Sequence, residues 1–249
     1  TLAIVAHDQM KSRMRDWAKA HEKLLARYRL HNHSPDAQEW VFALALRPLQ
    51  VNPPVQFLNT PGGVSPVRQL DLSSDSARVN GNFALQAARP AEALAVRGFD
   101  QGGLMDWLPQ FASACLASAQ APCDPAPATM QDANALASGV WLYRVNLQPG
   151  EAWETALQLP MQAVAATPTM PFVLADLDAR ERAVADQWRA LLDRTRVDIH
   201  SAPEIGASLR SAVAHILINR HGAAIQPGTR SYSRSWIRDG AMTSGALMR

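Results

Sequence analysis

The chain lacks any apolar segment that could cross a membrane as a helix. Its longest run without a charged residue covers residues 155–175, and Pro160, Pro168 and Pro171 interrupt it. Because an internal proline removes a helical hydrogen bond and clashes with the preceding turn, this run is not a spanning helix. A strong excess of one charge is also lacking, since the formal net charge is +2 at pH 7. We therefore expect neither a membrane span nor a nucleic-acid partner.

Lysine is scarce, because arginine supplies nearly all of the 24 basic residues and lysine occurs only at positions 11, 19 and 23. In a chain so rich in alanine and proline, we interpret this bias as genomic composition and not as a binding signature. With 249 residues, 47% of them hydrophobic, the chain can bury a large core in one or two domains. The 17 prolines, scattered between apolar runs, favour many short strands and turns.

Cysteine is limited to Cys115 and Cys123. Both lie within residues 100–127, which we predict to be an irregular inserted loop. They are either a disulfide pair in an exported protein or two unrelated thiols. Two exposed thiols so close together would be a liability in an oxidising compartment unless they were paired. The first interpretation predicts a periplasmic or secreted protein, and the second leaves the cytoplasm open.

Several familiar patterns of catalytic and metal-binding sites are absent from the sequence. It has no paired CxxC, no HExxH, no GxSxG nucleophile elbow and no Walker or dinucleotide glycine motif. His31 and His33 could place two imidazoles on one side of a strand, but no carboxylate or cysteine accompanies them nearby. We therefore predict no metal site and no cofactor.

The first part of the chain has a helical pattern, followed by the patterns of strands. From Asp8 to Tyr28 apolar residues recur at steps of three and four positions, which predicts an amphipathic helix. The period then changes, and residues 40–46 are predicted to form a buried strand. Shorter strands are predicted around residues 67–72, 77–79, 83–85 and 93–96.

Two turns join the predicted strands. Asn80-Gly81 is typical of a hairpin turn between two of the short strands. Residues 139–147 and 152–159, joined by a turn at 148–151, have the clearest hairpin pattern in the sequence. The number and spacing of these segments favour an antiparallel β-sandwich.

The pattern changes from β to α after the last predicted strand. We expect an α+β multidomain fold, with a β-sandwich domain that carries the N-terminal helix over residues 1–165. A linker and linker helix occupy 166–202, and further helices occupy 203–249. Asp176 opens the linker helix, and Pro203 stands at a first-turn position of the next one.

A short loop near the end of the chain concentrates groups that suit a polyhydroxylated ligand. Tyr232, Arg234, Trp236, Arg238 and Asp239 occur within eight positions, directly before a helix start. An adjacent Arg-Asp pair supplies oriented donors and acceptors for hydroxyl groups, and an aromatic ring offers an apolar face for stacking. A solvated surface loop with the tryptophan in the core is the alternative interpretation.

Residues 232–241, with the sequence YSRSWIRDGA, resemble the W-x-R-D-x-A segment of six-hairpin, (α/α)6-barrel glycosidases, particularly the glucoamylase-like and glycogen-debranching-like groups. The resemblance implies that a β-supersandwich and a linker helix precede the toroid. It also implies that Trp236 lines the −1 subsite while Arg238 and Asp239 hold sugar hydroxyls there. Tyr232 is the fourth substrate-binding candidate. No catalytic residue is assigned within the chain.

The resemblance implies inverting cleavage of a glycosidic bond in an oligosaccharide or polysaccharide. The family's general acid and base are carboxylates on later hairpins, and a closed toroid needs more helices than follow the linker here. We therefore expect the chain to be the N-terminal part of a longer bacterial enzyme, whose remainder is its partner. Two alternatives stay open. One is a glycoside phosphorylase of the same fold, and the other is a non-catalytic carbohydrate-binding or scaffold protein.

Overall fold

The computed structural model describes residues 2–5, 23–48, 50–52, 63–116, 127–160, 172–194, 198–219, 224–228, 232 and 235–248. They form a mixed α+β structure with mainly antiparallel sheets and four α-helices. The strands are β1 (Leu2–Val5), β2 (Lys23–His31), β3 (Gln38–Leu46), β4 (Gln50–Asn52), β5 (Gly63–Val64), β6 (Gln69–Leu72), β7 (Ser76–Val79), β8 (Asn82–Ala87), β9 (Ala93–Arg97), β10 (Ala128–Gln131), β11 (Ser138–Leu147) and β12 (Ala152–Pro160). The helices are α1 (Leu104–Leu116), α2 (Leu177–Leu192), α3 (Pro203–Ile218) and α4 (Ile237–Leu247), with 3-10 turns at Phe99–Gln101 and Leu174–Asp176.

Two sheets enclose one hydrophobic core, as the layers of a β-sandwich do. The four-stranded sheet has the order β1-β3-β11-β9, and the six-stranded sheet has the order β10-β6-β7-β8-β12-β2. The strands pair antiparallel, apart from the parallel pair of β1 and β3. Phe42 and Trp141 from the first sheet share the core with Leu85 and Leu157 from the second. Burial of this core is the main stabilising contribution to the sheet region.

The central strands of the four-stranded sheet are buried on both faces. On β3, Phe42 and Leu44 face the core between the sheets, while Ala43 and Ala45 face α1 on the outside. This two-sided burial explains why residues 40–46 form an unbroken apolar run in the sequence. The strand predicted there is confirmed by β3.

The predicted irregular loop over residues 100–127 is wrong in its first half, which contains α1. Leu104, Trp107, Leu108 and Cys115 recur at helical spacing and pack on the outer face of the four-stranded sheet. Alanines on the strands leave room for this close approach. The sequence did not indicate this helix because glycine and proline usually interrupt helices, and Gly102-Gly103 precede it while Pro109 lies inside it.

The amphipathic helix predicted from Asp8 to Tyr28 is also wrong where it can be compared. From Lys23 to His31 the chain is strand β2, and residues 6–22 lie outside the described residues. Along β2 the side chains alternate between the shared core and the outer face, with Leu24 and Tyr28 directed inward. Pairing with β12 gives β2, the edge strand of its sheet, hydrogen-bond partners along one side, so tertiary contacts override the helical spacing.

The segments predicted as the clearest hairpin are both strands, but they do not pair with each other. β11 pairs with β3 and β9, whereas β12 pairs with β2 and β8 in the opposite sheet. The turn at 148–151 is present, with Gly150 at φ +79°. The chain crosses between the layers there, so these segments form a β-arch. The same crossing occurs between β2 and β3.

The other short strands are confirmed, as is the turn between two of them. β6 to β9 correspond to the four predicted segments. Asn80 and Gly81 have φ values of +51° and +78°, the positive angles that a type I′ hairpin turn requires. Asn80 also accepts backbone hydrogen bonds from Arg68 and Gln69 through its side-chain oxygen.

The helices predicted from Asp176 and from Pro203 are confirmed by α2 and α3, and a further helix follows the loop. Phe172 and Leu177 pack with Ala156 on the outer face of the six-stranded sheet. The start of the linker predicted over residues 166–202 lies outside the described residues as far as residue 171. None of the described helices combines the length and apolar character needed to cross a bilayer.

Candidate functional site

The loop singled out by the sequence leads directly into helix α4. Trp236 is the residue before the helix, with extended φ and ψ of −98° and 123°, and α4 begins at Ile237. Asp239 therefore stands in the first turn, where the positive end of the helix dipole favours a carboxylate. The hydroxyl of Thr243 donates to the carbonyl of Asp239 at 2.8 Å. The start of the helix thus fixes the backbone of Asp239.

Arg238 and Asp239 form an ion pair at this helix start. Arg238 Nη2 lies 3.3 Å from Asp239 Oδ2, and the two side chains are 78% and 29% exposed. An exposed pair of this kind contributes only about 0–1 kcal/mol to folding. The ion pair therefore contributes little to the stability of the fold. The guanidinium still presents free N–H donors to solvent, and the carboxylate lies beside them.

Tyr232 and Trp236 place two aromatic rings on the same loop. Their ring centroids are 6.4 Å apart with an interplanar angle of 35°, and Tyr232 is 50% exposed. The indole Nε1 of Trp236 is buried and has no hydrogen-bond acceptor among the described residues. Arg234 lies outside the described residues. The loop therefore combines an accessible aromatic face with the Arg-Asp pair that follows it.

A separate groove of about 680 Å³ lies among the helices. It runs between the end of α2, the length of α3 and the end of α4. Its lining includes the Asp193–Arg210 ion pair, with a separation of 2.5 Å, and the side chains of Ile216 and Ala246. None of the four candidate residues of the loop lines this groove. The groove is thus a separate feature from the loop.

No protein-family model matches the chain, and no curated protein matches its sequence. The interpretation of the loop therefore depends on its own residues and contacts.

Cys115 occupies a different place from the predicted one. It lies near the end of α1, buried against the four-stranded sheet, and it is disulfide-bonded. The guanidinium of Arg144 donates a hydrogen bond to its carbonyl oxygen, at the negative end of the helix. Cys123 lies outside the described residues, so its pairing with Cys115 stays a prediction.

The buried carboxylate of Asp132 has a structural role that the sequence did not indicate. Asp132 accepts hydrogen bonds from the backbone N–H groups of Phe99, Asn134 and Leu136. Burial tends to raise the pKa of Asp132, but these three donors outweigh it and hold the pKa below its ordinary value. A carboxylate that stays ionised and fully hydrogen-bonded organises the loop before β11 and is a poor general acid.

Metal ligands are sparse in the described part of the chain. It contains no group of three or more His, Cys, Asp or Glu side chains placed to hold an ion. The closest potential ligands are the paired rings of His31 and His33. Sequence spacing alone placed these two rings on one side of a strand, but it could not show that they touch.

Proposed function

We propose that the protein is part of a carbohydrate-active enzyme that cleaves a glycosidic bond with inversion, and that the loop from Tyr232 to Asp239 binds sugar in the −1 subsite. The observation that carries the proposal is the Arg238–Asp239 pair at the start of α4. It sets donors and an acceptor side by side, which matches the mixed donor and acceptor character of neighbouring sugar hydroxyls.

The aromatic residues of the loop support the same ligand class. A pyranose ring has an apolar C–H face that stacks on aromatic side chains, and the half-exposed ring of Tyr232 offers such a surface. The ring of Trp236 lies beside that of Tyr232, with centroids 6.4 Å apart. In this proposal Trp236 lines the subsite and Tyr232 borders it.

We also propose that residues 203–249 begin an (α/α)6 toroid, and the exposed surface of the last helix supports this. Apolar side chains of α4 and its end are left facing solvent, with Ile237 94%, Met242 72% and Met248 81% exposed. Exposed apolar surface of this extent is typical of a helix that packs against further protein. In the proposed toroid these side chains pack on neighbouring helical hairpins, and the linker helix α2 precedes them.

The proposed chemistry assigns binding and orientation to the loop, and proton transfer to other residues. Inversion needs one carboxylic acid to protonate the leaving oxygen and one carboxylate to activate water on the opposite face of the sugar. Asp239 is engaged with Arg238 and takes neither role. The two residues orient the sugar ring so that both proton transfers can act on it.

The substitution Asp239→Asn tests the proposal in the protein at its full natural length. Removing the charge weakens hydrogen bonds to the sugar, and a bond to a charged group contributes about 1.5–3 kcal/mol. We expect kcat/KM on a cleaved glycoside to fall about 10- to 100-fold. Asp186→Asn is the matched control, since Asp186 is 72% exposed on α2 and distant in sequence from the loop.

A panel of glycosides, assayed with and without phosphate, separates the possible outcomes. Release of a reducing sugar of inverted configuration supports hydrolysis, while phosphate-dependent release of a sugar 1-phosphate identifies a phosphorylase. Sugar binding without turnover indicates a binding module. Unchanged kinetics in Asp239→Asn, with turnover intact, would overturn the role given to the loop.

A further inference from the structure

The imidazole rings of His31 and His33 meet at the end of strand β2. Nδ1 of His31 lies 3.1 Å from both Nδ1 and Nε2 of His33. The ring centroids are 4.1 Å apart and the rings are tilted by 49°. Both side chains are exposed to solvent. At this separation the two contacting ring nitrogens can hold at most one proton between them. When both rings are neutral, the pair therefore keeps a lone pair that no proton occupies.

The residue between the two histidines holds their backbone in place. Asn32 is 1% exposed, and its side-chain amide donates to the carbonyls of Asp36 and Leu147 at 2.9 and 3.0 Å. Its side-chain oxygen accepts from the backbone N–H of Ser34. Binding of a ligand that bridges the two rings therefore costs the protein little backbone freedom.

We propose that His31 and His33 form a binding site for a divalent transition-metal ion. Imidazole nitrogens coordinate zinc at about 2.0–2.1 Å, so two of them in neighbouring positions of one ion are about 3.0–3.4 Å apart. The observed separation of 3.1 Å lies within this range for either nitrogen of His33. Because Nδ1 of His31 is equidistant from both nitrogens of His33, it lies over the face of that ring, and the His33 ring must turn to direct a lone pair at a shared ion.

The ligand type selects the class of metal. Imidazole suits Zn²⁺, Ni²⁺ and Cu²⁺, whereas Mg²⁺ and Ca²⁺ prefer oxygen ligands. Because the described residues provide no third protein ligand, water completes the coordination. Such a site is open and exchangeable. Since the ion joins the end of β2 to the connection that follows, its binding also stabilises the folded state.

Calorimetric titration and thermal unfolding of tag-free protein test the proposal with Zn²⁺, Ni²⁺ and Cu²⁺, and with Mg²⁺ as the negative control. We expect binding and a higher Tm with the three transition metals, tightest for Cu²⁺, and neither with Mg²⁺. His31→Gln and His33→Gln should each lower the affinity by at least the roughly 10- to 100-fold that outer-shell partners contribute. His200→Gln is the matched control, because His200 is 92% exposed and lies between α2 and α3.

The double variant His31→Gln/His33→Gln decides between this site and the other five of the seven histidines in the chain. Loss of the metal-dependent rise in Tm in the double variant, with the rise retained in His200→Gln, supports the proposal. Unchanged affinity in the double variant overturns it, as does the absence of binding of all three ions to the unsubstituted protein. Both replaced side chains are exposed, so circular dichroism should show the native fold in every variant.

Discussion

Asn32 is an uncharged polar side chain buried where the two connections between the sheets meet. Besides its side-chain bonds, its backbone N–H donates to the carbonyl of Glu151, and its own carbonyl accepts from Gly150, both at 2.9 Å. One residue therefore links the β2–β3 connection to the β11–β12 connection. A buried polar group so fully hydrogen-bonded favours one arrangement of the surrounding backbone, because any other arrangement leaves a donor or an acceptor unsatisfied.

Asn32→Ala should lower the free energy of unfolding by about 2–4 kcal/mol. The substitution leaves the buried carbonyl of Leu147 without its amide donor, which costs about 1–3 kcal/mol, and it also removes the hydrogen bonds to Asp36 and Ser34. Urea denaturation at pH 7 measures the change. Asn146→Ala is the control, because Asn146 is exposed on β11 and should have little effect. Equal losses in the two variants would contradict the role of Asn32.

At the scale of secondary-structure elements, Arg27 connects the strand pair β2–β12 to helix α2. Its guanidinium donates to both carboxylate oxygens of Glu154, with the shortest contact at 2.8 Å. Its Nη1 also contacts Asp178 at 2.6 Å and Glu181 at 3.0 Å. The planar fork of arginine allows this simultaneous contact, which a lysine ammonium reproduces poorly. One cation thus holds three carboxylates from two elements.

Arg27→Gln should loosen the start of α2 without unfolding the sheets. The three carboxylates then face each other without a cation, so we expect amide hydrogen exchange in the first turns of α2 to rise a few-fold. Exchange in β3 and β11 should stay unchanged, because their protection depends on the core. Arg78→Gln is the control, because the guanidinium of Arg78 contacts the carbonyl of Gly81 at the turn between β7 and β8. Mass spectrometry of exchanged peptides makes the measurement.

The same contact should depend on pH in a defined direction. The hydrogen bond from Arg27 holds the pKa of Asp178 below its ordinary value of about 3.9. The stabilisation is therefore fully present above that value and is lost as the pH falls through the lower folded pKa. Exchange in α2 of the unsubstituted protein should approach that of Arg27→Gln only in this acid range. A constant difference across it would contradict the assignment.

The sequence predicted most strands but not how they associate. Alternation and turn residues located β6 to β9, because strand period and turn type are local properties. The partners of β11 and β12 depend on contacts across the whole domain, so two adjacent strands were wrongly paired as a hairpin. β2 was mistaken for a helix because Leu24, Leu25 and Tyr28 fit helical spacing as well as strand spacing. In α1, Pro109 concealed a regular apolar stripe.

The candidate loop could be identified from the sequence for a related reason. Its four residues lie within eight positions, so the contact of Arg238 with Asp239 follows from adjacency. The contacts of Arg27 and Asn32 join residues more than 100 positions apart, and no local pattern indicates them. Local chemistry can thus be located from one sequence, whereas long-range polar contacts require the fold.

At the scale of the whole molecule, the layers run from α1 through the two sheets to the start of α2. Tyr143 lies in the central layer, where its hydroxyl donates to the carbonyl of Arg89 at 3.3 Å. Burial, together with the charge of Asp75, raises the pKa of Tyr143 above its ordinary value. Burial also raises the pKa of Tyr28 in the same core. The core therefore keeps both phenols neutral while the protein is folded.

The protein should accordingly lose stability in alkaline solution. A folded pKa above the unfolded value of about 10 gives stabilisation that is complete below pH 10 and declines as the pH rises further. One such tyrosine contributes a slope of up to about 1.4 kcal/mol per pH unit. In Tyr143→Phe the free energy of unfolding should fall less steeply above that pH. Urea denaturation across the alkaline range measures both slopes, and parallel curves would contradict the prediction.

The crossing of the chain between the two sheets also has a consequence for the order in which the protein can fold. Because neither arch forms a local hairpin, the pairing of β3 with β11 and that of β2 with β12 wait for the second strand of each pair. Arg27 on β2 and Glu154 on β12 are 127 positions apart. Long loops must close before these pairs gain any hydrogen bonds, which makes folding slow. During synthesis, β2 therefore emerges from the ribosome with both edges unpaired. Once β12 has been made, β2 pairs along one edge and stays the edge strand of the six-stranded sheet, so the period before that pairing exposes it most to association with other chains.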